Sequence, residues 1–272
     1  MQRIFLRRKV VLEKIISVQN PKIKQFSKLV SSSKERKKTG TFAIEGARLC
    51  FDAAKSGVEI LELFYTSQAY EKFTEEIDYI SSVAEAVYEV STEIAEKLRD
   101  TESTQGVFAR CRNTENETTL SSFLPDGKYV VLENLQDPSN LGAVARTAEA
   151  LGIKGAVLVS CCDVFNPKAQ RASMGSLFRL PFARISDIDE LFSFSEDKNI
   201  KTVATVVDSS AEKINKADLS GGVFLIIGNE GNGIQQTTAD RCTMKVTIPM
   251  QGRAESLNAS MAACIAMWEV LR

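Results

Sequence analysis

The chain has 272 residues, 44% hydrophobic and 25% charged, with a formal net charge of −1. No stretch approaches the roughly 20 apolar residues of a membrane helix. Histidine is absent, which excludes a Ser-His-Asp triad, a His-assisted cysteine nucleophile and a His-ligated metal within this chain.

Charge is unevenly placed. Residues 1–40 hold twelve Lys and Arg against Glu13 and Glu35, hence +10, and the remaining residues carry about −11. A basic first segment on a mildly acidic body points to a polyanion partner, or to a solvated basic helix with none. The start, "MQRIFLRRKVVL", lacks the apolar core and cleavage site of a secretory signal, although its Arg-rich, acid-poor character also suits an organelle presequence. Cys50, Cys111, Cys161, Cys162, Cys242 and Cys264 form no C-x-x-C pair. Reduced thiols and a cytoplasmic protein follow, with no metal site expected.

In chain order, "NPKIKQFSKLVSSSKERKKTG" reads as one helix, with Ile23, Phe26, Leu29 and Val30 at helical spacing. "TFAIEG" is a strand, "ARLCFDAAKSG" a helix closed by Gly57, and "VEILELFYTS" a strand. "SQAYEKFTEEIDYISSVA" is helical, "AVYEVS" a strand, "STEIAEKLRD" a capped helix and "TQGVFARCR" a strand. This alternation predicts a small α/β domain over 15–112. The polar, turn-rich "NTENETTLSSFLPDG", residues 113–127, reads as a linker. From Lys128 to Arg272, strands such as "KYVVLENL", "KGAVLVS", "IKTVATVVD" and "GGVFLIIGNE" alternate with helices, which predicts a parallel sheet covered on both faces.

Three strand ends carry unusual polar clusters, and ligands in such sheets gather outside the carboxyl ends of strands. In "ENLQDPSNLGAVAR", Ser139 or Asn140 suits an N-cap, and Arg146 is either an ion-pair partner of Glu149 one turn on or a functional cation. "LIIGNEGNGI" ends a buried strand in glycines that let backbone approach a ligand, yet it matches neither a P-loop nor the dinucleotide fingerprint. In "IPMQGRAESLNAS", Ser256 reads as the N-cap of a last helix. That helix is uncharged from Leu257 to Trp268, so most of its surface is expected to be buried.

The three clusters, in this order, resemble motifs 1, 2 and 3 of the SpoU (TrmH-type) family of RNA ribose 2′-O-methyltransferases, in the SPOUT superfamily: "DPSNLGAVARTAEALG", "IIGNEGNGI" and "IPMQGRAESLNASMA". The resemblance spans about 128–272. Residues 15–112, through "NPKIKQFSKL" and "GTFAIEGARL", resemble an L30e-like RNA substrate-binding domain, leaving 1–14 as a basic tail. It implies a Rossmann-like sheet with a deep trefoil knot, a rare exception to unthreaded chains. It also implies S-adenosylmethionine as donor, RNA as substrate with large-subunit ribosomal RNA favoured over transfer RNA, and a homodimer with active sites at the interface. Carried onto this chain, Arg146 is the central catalytic residue, supported by Asn140, Glu230, Ser256 and Asn258. Gly228, Ile248 and Leu257, with Met250 and Thr205, would hold the donor. A catalytically silent RNA- or ribosome-binding module and an unrelated α/β nucleotide enzyme stand as the competing readings.

Overall fold

The computed structural model describes residues 12–113 and 116–272. They form two compact units. The first holds the residues up to 113 together with Phe165–Arg171, and the second holds 116–164 and Ala172–Arg272.

In the first unit the order is β1 (Leu12–Ile15), α1 (Pro21–Ser31), α2 (Ser33–Thr39), β2 (Thr41–Glu45), α3 (Ala47–Lys55) and β3 (Ile60–Tyr65). Then come α4 (Ser67–Lys72), α5 (Thr74–Val83), β4 (Ala86–Val90), α6 (Thr92–Leu98) and β5 (Val107–Arg112). The sheet runs β1-β4-β3-β5-β2, parallel from β1 through β3 and antiparallel at β5. Its core joins α1 to the sheet through Phe26, which meets Phe64 and Phe108 edge-on at 5.7 and 5.9 Å. Buried Glu62 accepts from Lys22 at 2.9 Å and from Arg110 at 2.7 Å, so an ion network ties α1 to β3 and β5. Partnering of this kind is what a buried carboxylate requires.

The structure corrects three expectations here. The single helix over residues 20–40 is two, because Ser32 is extended and its hydroxyl caps α2 at Glu35. Consecutive serines compete with the helix for their own backbone, as serine does at caps. The helical run over 67–84 also breaks, at Phe73. Residues 12–14, placed in the tail by sequence, belong to β1 and pair with β4, while the rest of that tail lies outside the described residues.

The second unit contains β6 (Glu117–Thr118), β7 (Lys128–Glu133), α7 (Pro138–Leu151), β8 (Gly155–Val159), α8 (Pro167–Ser173), β9 (Phe182–Ile185) and α9 (Ile188–Lys198). It continues with β10 (Lys201–Thr205), β11 (Glu212–Lys213), β12 (Val223–Ile227), α10 (Gln236–Arg241), β13 (Met244–Thr247) and α11 (Ala259–Leu271). Most of α8 groups with the first unit, where Phe165 packs on Phe42 at 4.9 Å, so the 128–272 span is not one contiguous body. The sheet order is β11-β13-β10-β12-β7-β8-β9-β6, and every pairing is parallel. Central strands β7, β8 and β12 are buried along nearly their whole length, as their continuous apolar runs require.

The segment 113–127 is not a free linker. Within it β6 pairs with β9, and Phe123 is buried with its ring stacked on Tyr129 at 4.4 Å. The last helix also departs from expectation. One face of α11 packs on α7, β12 and β7, whereas Met261, Ile265 and Trp268 are 57%, 41% and 58% exposed. Lack of charge therefore does not mean burial on this helix. It has an inner apolar face and an outer one.

Candidate functional site

The chain runs from β7 through β8 to β9 on one side of the sheet, then crosses to β10 on the other. That reversal sets a switch point between β7 and β12, and beside it a crevice opens at the carboxyl ends of β12 and β10, where open α/β sheets bind ligands.

After β7, Asn134 takes a left-handed turn (φ 55°). Asp137, not Ser139 or Asn140, caps α7, accepting from the Ser139 N–H at 2.9 Å, with Pro138 in the first turn. Relieved of capping, Asn140 uses its amide elsewhere. Its Nδ2 donates to Glu230 Oε1 at 3.0 Å and its Oδ1 accepts from Asn258 Nδ2 at 3.2 Å. One side chain, only 7% exposed, thus joins all three polar clusters, across 90 and 118 residues of sequence.

Glu230 is tied further by the backbone N–H groups of Asp137 (2.9 Å) and Gln136 (3.3 Å). Partial burial opposes its ionisation, but the bonds from Asn140, Asp137 and Gln136 outweigh it and hold the carboxyl below its ordinary value. It is an anion at neutral pH. Its loop is shaped by Gly228, where a Cβ would lie 2.1 Å from the Gly233 carbonyl carbon and from the Ile234 nitrogen. Asn229, which sequence reasoning passed over, donates to the Asn134 carbonyl at 2.7 Å and accepts from Gly231 and Asn232. An Asn two residues before a glycine in a turn is the signal that could have found it.

In the third cluster Asn258, not Ser256, caps the last helix. Its Oδ1 accepts from the N–H groups of Ser260 and Met261 while its Nδ2 faces Asn140. Ser256 is exposed and lines the crevice.

The crevice encloses about 600 Å³, between Thr205, Gly228, Glu230, Ile234, Ser256 and Leu257 among others. A smaller recess of about 70 Å³, walled by Thr205, Ile248, Met250 and Leu257, adjoins it through shared residues. The larger volume suits a cofactor-sized molecule. Its walls mix apolar side chains, backbone that only a glycine allows so close, and the carboxylates of Asp208, Glu230 and Glu255. That mixture fits S-adenosylmethionine, which combines an apolar ring face, polar edges and a sulfonium cation.

Arg146 stands apart. It is exposed on α7, is not among the crevice walls, and makes no hydrogen bond or ion pair among the described residues. The Glu149 ion pair considered from sequence does not form, because Glu149 is held by Arg179 at 2.6 Å and by the Ser176 hydroxyl at 2.9 Å. Cys161 and Cys162 lie near Glu230, and burial pushes their thiols up to about 12 and about 11, which removes them as nucleophiles at neutral pH. Among the described residues, no group of three or more Cys, Asp or Glu is arranged to hold a metal, and no helix is long and apolar enough to cross a membrane.

Known proteins share this architecture. Residues 20–109 match the model of the MRM3-like substrate binding domain, and 127–268 match that of the SpoU rRNA Methylase family. The 23S rRNA (guanosine(2553)-2′-O)-methyltransferase RlmP of Bacillus subtilis is 30% identical, over 95% of this chain and 99% of its own. An AdoMet-bound rRNA methyltransferase from Sinorhizobium meliloti superposes with a TM-score of 0.84 at 28% identity, covering 95% of this chain and 97% of that one. The SpoU methyltransferase AviRb from Streptomyces viridochromogenes, in complex with AdoMet, gives 0.80 at 26% identity, over 93% and 97% of the two chains. With the motif order, the parallel sheet and these matches in agreement, the chain belongs to the SpoU rRNA methylase family.

Proposed function

We propose that the protein transfers the methyl group of S-adenosylmethionine to a ribose 2′-hydroxyl of ribosomal RNA, in the large subunit and in the cytoplasm. The observation that carries this reading is the Asn140 amide, which ties the first motif to the two motif loops that line one cofactor-sized crevice. Relatives similar over both halves of the chain are named as 23S rRNA enzymes, which favours ribosomal over transfer RNA.

Gly228, Ile248 and Leu257, with Thr205 and Met250, would hold the donor, whose sulfonium supplies a methyl activated for in-line displacement. This chain's residues position the hydroxyl and stabilise charge. Glu230, fixed as an anion by Asn140 and two backbone donors, holds the approaching guanidinium and the substrate in place. Ser256 offers its hydroxyl to the ribose, and Asn258 anchors the loop that carries it. Arg146 brings a planar cationic fork of N–H donors. It would grip the adjoining phosphate through its fork and stabilise the developing alkoxide, so that the hydroxyl proton passes to solvent as the O–C bond forms, the methyl–sulfur bond breaks and the donor leaves as a neutral thioether.

Arg146 is exposed and outside the crevice of its own chain, and α11 presents an apolar outer face. A homodimer packed through α11 accounts for both, with Arg146 of one protomer completing the crevice of its partner. Apolar stripes of this kind mark interfaces. The return of the chain from β13, next to the edge strand β11, to α11 against α7 is also the path that a trefoil knot would follow.

The test is incubation with tritiated donor and total RNA from cells lacking the protein, followed by alkaline hydrolysis. A 2′-O-methyl blocks cleavage, so label should stay in alkali-resistant dinucleotides. Label on a base, or in alkali-labile material, overturns the assignment. Donor binding without transfer to any RNA would favour the catalytically silent module.

A further inference from the structure

The first unit carries a second cavity that methyl transfer does not use. About 490 Å³ in volume, it opens at the carboxyl ends of β3 and β4, roofed by α4 and α5. Its walls include Tyr65, Tyr70, Glu71, Asp78 and Glu89, and no lysine or arginine. The Tyr65 and Tyr70 rings stack at 5.6 Å, and the Tyr70 hydroxyl donates to Asp78 Oδ1 at 3.1 Å. Glu89 also meets Lys14 at 2.9 Å, a lysine 63% exposed.

Tyr65 is the informative residue. Its side chain belongs to the core, at 8% exposure, yet its hydroxyl makes no hydrogen bond among the described residues. Burial, then Glu89, Tyr70 and Asp78, push its phenol up. The ring is packed in the core while the oxygen keeps some surface, so the phenol is open to a ligand rather than sealed in the fold. Here it sits in the wall of an acid-lined cavity of ligand-binding size.

The chemistry selects the occupant. Three carboxylates repel phosphate, so this is not a surface for RNA backbone, which is met by Lys and Arg. A bare ammonium would be served by the acids but not by stacked rings. A guanidinium is flat, stacks on tyrosine faces and forks onto carboxylates. The phenol oxygen of Tyr65 can accept a hydrogen bond from it.

We propose that this cavity takes an arginine side chain presented by a basic polypeptide, so that the first unit docks a protein partner on a face that RNA does not use.

Calorimetry on the full chain at low ionic strength tests this, using acetylated, amidated Gly-Arg-Gly against the same peptide with citrulline, its neutral near-isostere. The arginine peptide should bind, and the citrulline peptide at least about tenfold more weakly. Asp78→Asn, at an exposed position, should cause a comparable loss. Tyr65→Phe should weaken binding while leaving the melting temperature unchanged, because its hydroxyl has no partner to lose. Should that variant melt early, Asp78→Asn carries the test. Equal binding of the citrulline peptide, or binding indifferent to Asp78→Asn, overturns the proposal. So does competition by a single-stranded oligonucleotide, which would make the cavity a nucleobase site. Spermidine binding more tightly than the peptide overturns the polypeptide source.

Discussion

Asn140 is the point at which the site should fail first. Its hydrogen bond to the Glu230 carboxylate belongs to a class contributing about 1.5–3 kcal/mol, and its bond from Asn258 to one contributing about 0.5–1.5 kcal/mol. Glu230 is exposed and keeps two backbone donors, so water replaces much of what is lost. Asn140→Ala should therefore destabilise the second unit by about 1–2 kcal/mol, lowering its melting temperature by roughly 2–8 °C. Asn140→Asp keeps the shape but sets a carboxylate against Glu230. Two such charges at 4 Å repel by about 1 kcal/mol in water and about 4 kcal/mol at a protein surface of intermediate dielectric, and with Glu230 exposed but position 140 only 7% exposed the pair lies between the two figures. At neutral pH the Asp variant should thus be the worse of the two. Protonating one carboxylate restores a hydrogen bond, so its deficit should shrink as pH falls toward about 5. The wild type behaves in the opposite sense. The depressed folded-state pKa of Glu230 adds stability above its unfolded value, ordinarily 4.5, and that stability is lost as pH falls through the lower folded value. The single tryptophan, Trp268, lies in α11, so its fluorescence during urea unfolding follows this unit alone. Donor affinity by calorimetry completes the assay. If both variants unfold as wild type does, with donor affinity intact and no pH dependence to the Asp deficit, the amide tie is not what holds the site.

Three further outcomes follow from named residues. Arg146→Lys keeps the charge and loses the fork, so kcat/KM should fall at least about a hundredfold with donor affinity unchanged, and near-wild-type turnover would refute bidentate grip. Gly228→Ala drives a methyl into the Gly233 backbone, and donor affinity should fall at least about tenfold; unchanged binding would show that the loop yields. Neutralising the exposed Lys24, Lys28, Lys34 and Lys37 to Gln should flatten the salt dependence of RNA binding. The slope changes by about 0.7 per lysine that meets a single-stranded phosphate, hence by up to about 3 for all four. An unaltered slope would place the RNA elsewhere.

That last design also shows where sequence patterns stopped short. Charge alone sets residues 1–40 apart, yet from residue 15 on they belong to the fold: Ile23, Phe26 and Leu29 are core, Lys22 neutralises buried Glu62, and buried Arg36 donates to the Leu29 and Val30 carbonyls. Deleting residues 1–40 would unfold the unit rather than report on RNA. Alternation of apolar strands with helices was legible because it is a property of each segment alone. The helix break at Ser32 and the caps at Asp137 and Asn258 were not, since several Ser, Asn and Asp stood within one turn of each end and tertiary partners chose among them. The Asn140 side chain was free to bridge Glu230 and Asn258 only because Asp137 had taken the cap. Motif order marked the site's constituents, whereas their geometry depended on contacts up to 118 residues apart.

Arg146 raises the most consequential question of assembly. In the proposed homodimer one chain lines the donor crevice and the other supplies Arg146, so donor binding and methyl transfer should respond differently to its dissociation. Trp268→Glu puts a charge into the apolar outer face of α11, at a position 58% exposed and so not needed by the fold. The variant should migrate as a monomer in light scattering, bind donor within about twofold of wild type, and lose methyl transfer by at least about a hundredfold. Dilution of the wild type should reproduce the pattern, with specific activity falling below the dimer dissociation constant while donor affinity per chain stays constant. Mixing Trp268→Glu with Arg146→Lys chains should not restore activity, because no crevice then receives an intact arginine from a paired neighbour. A fully active monomer would mean that Arg146 serves its own crevice by a movement of α7, and the division of labour between protomers would be wrong.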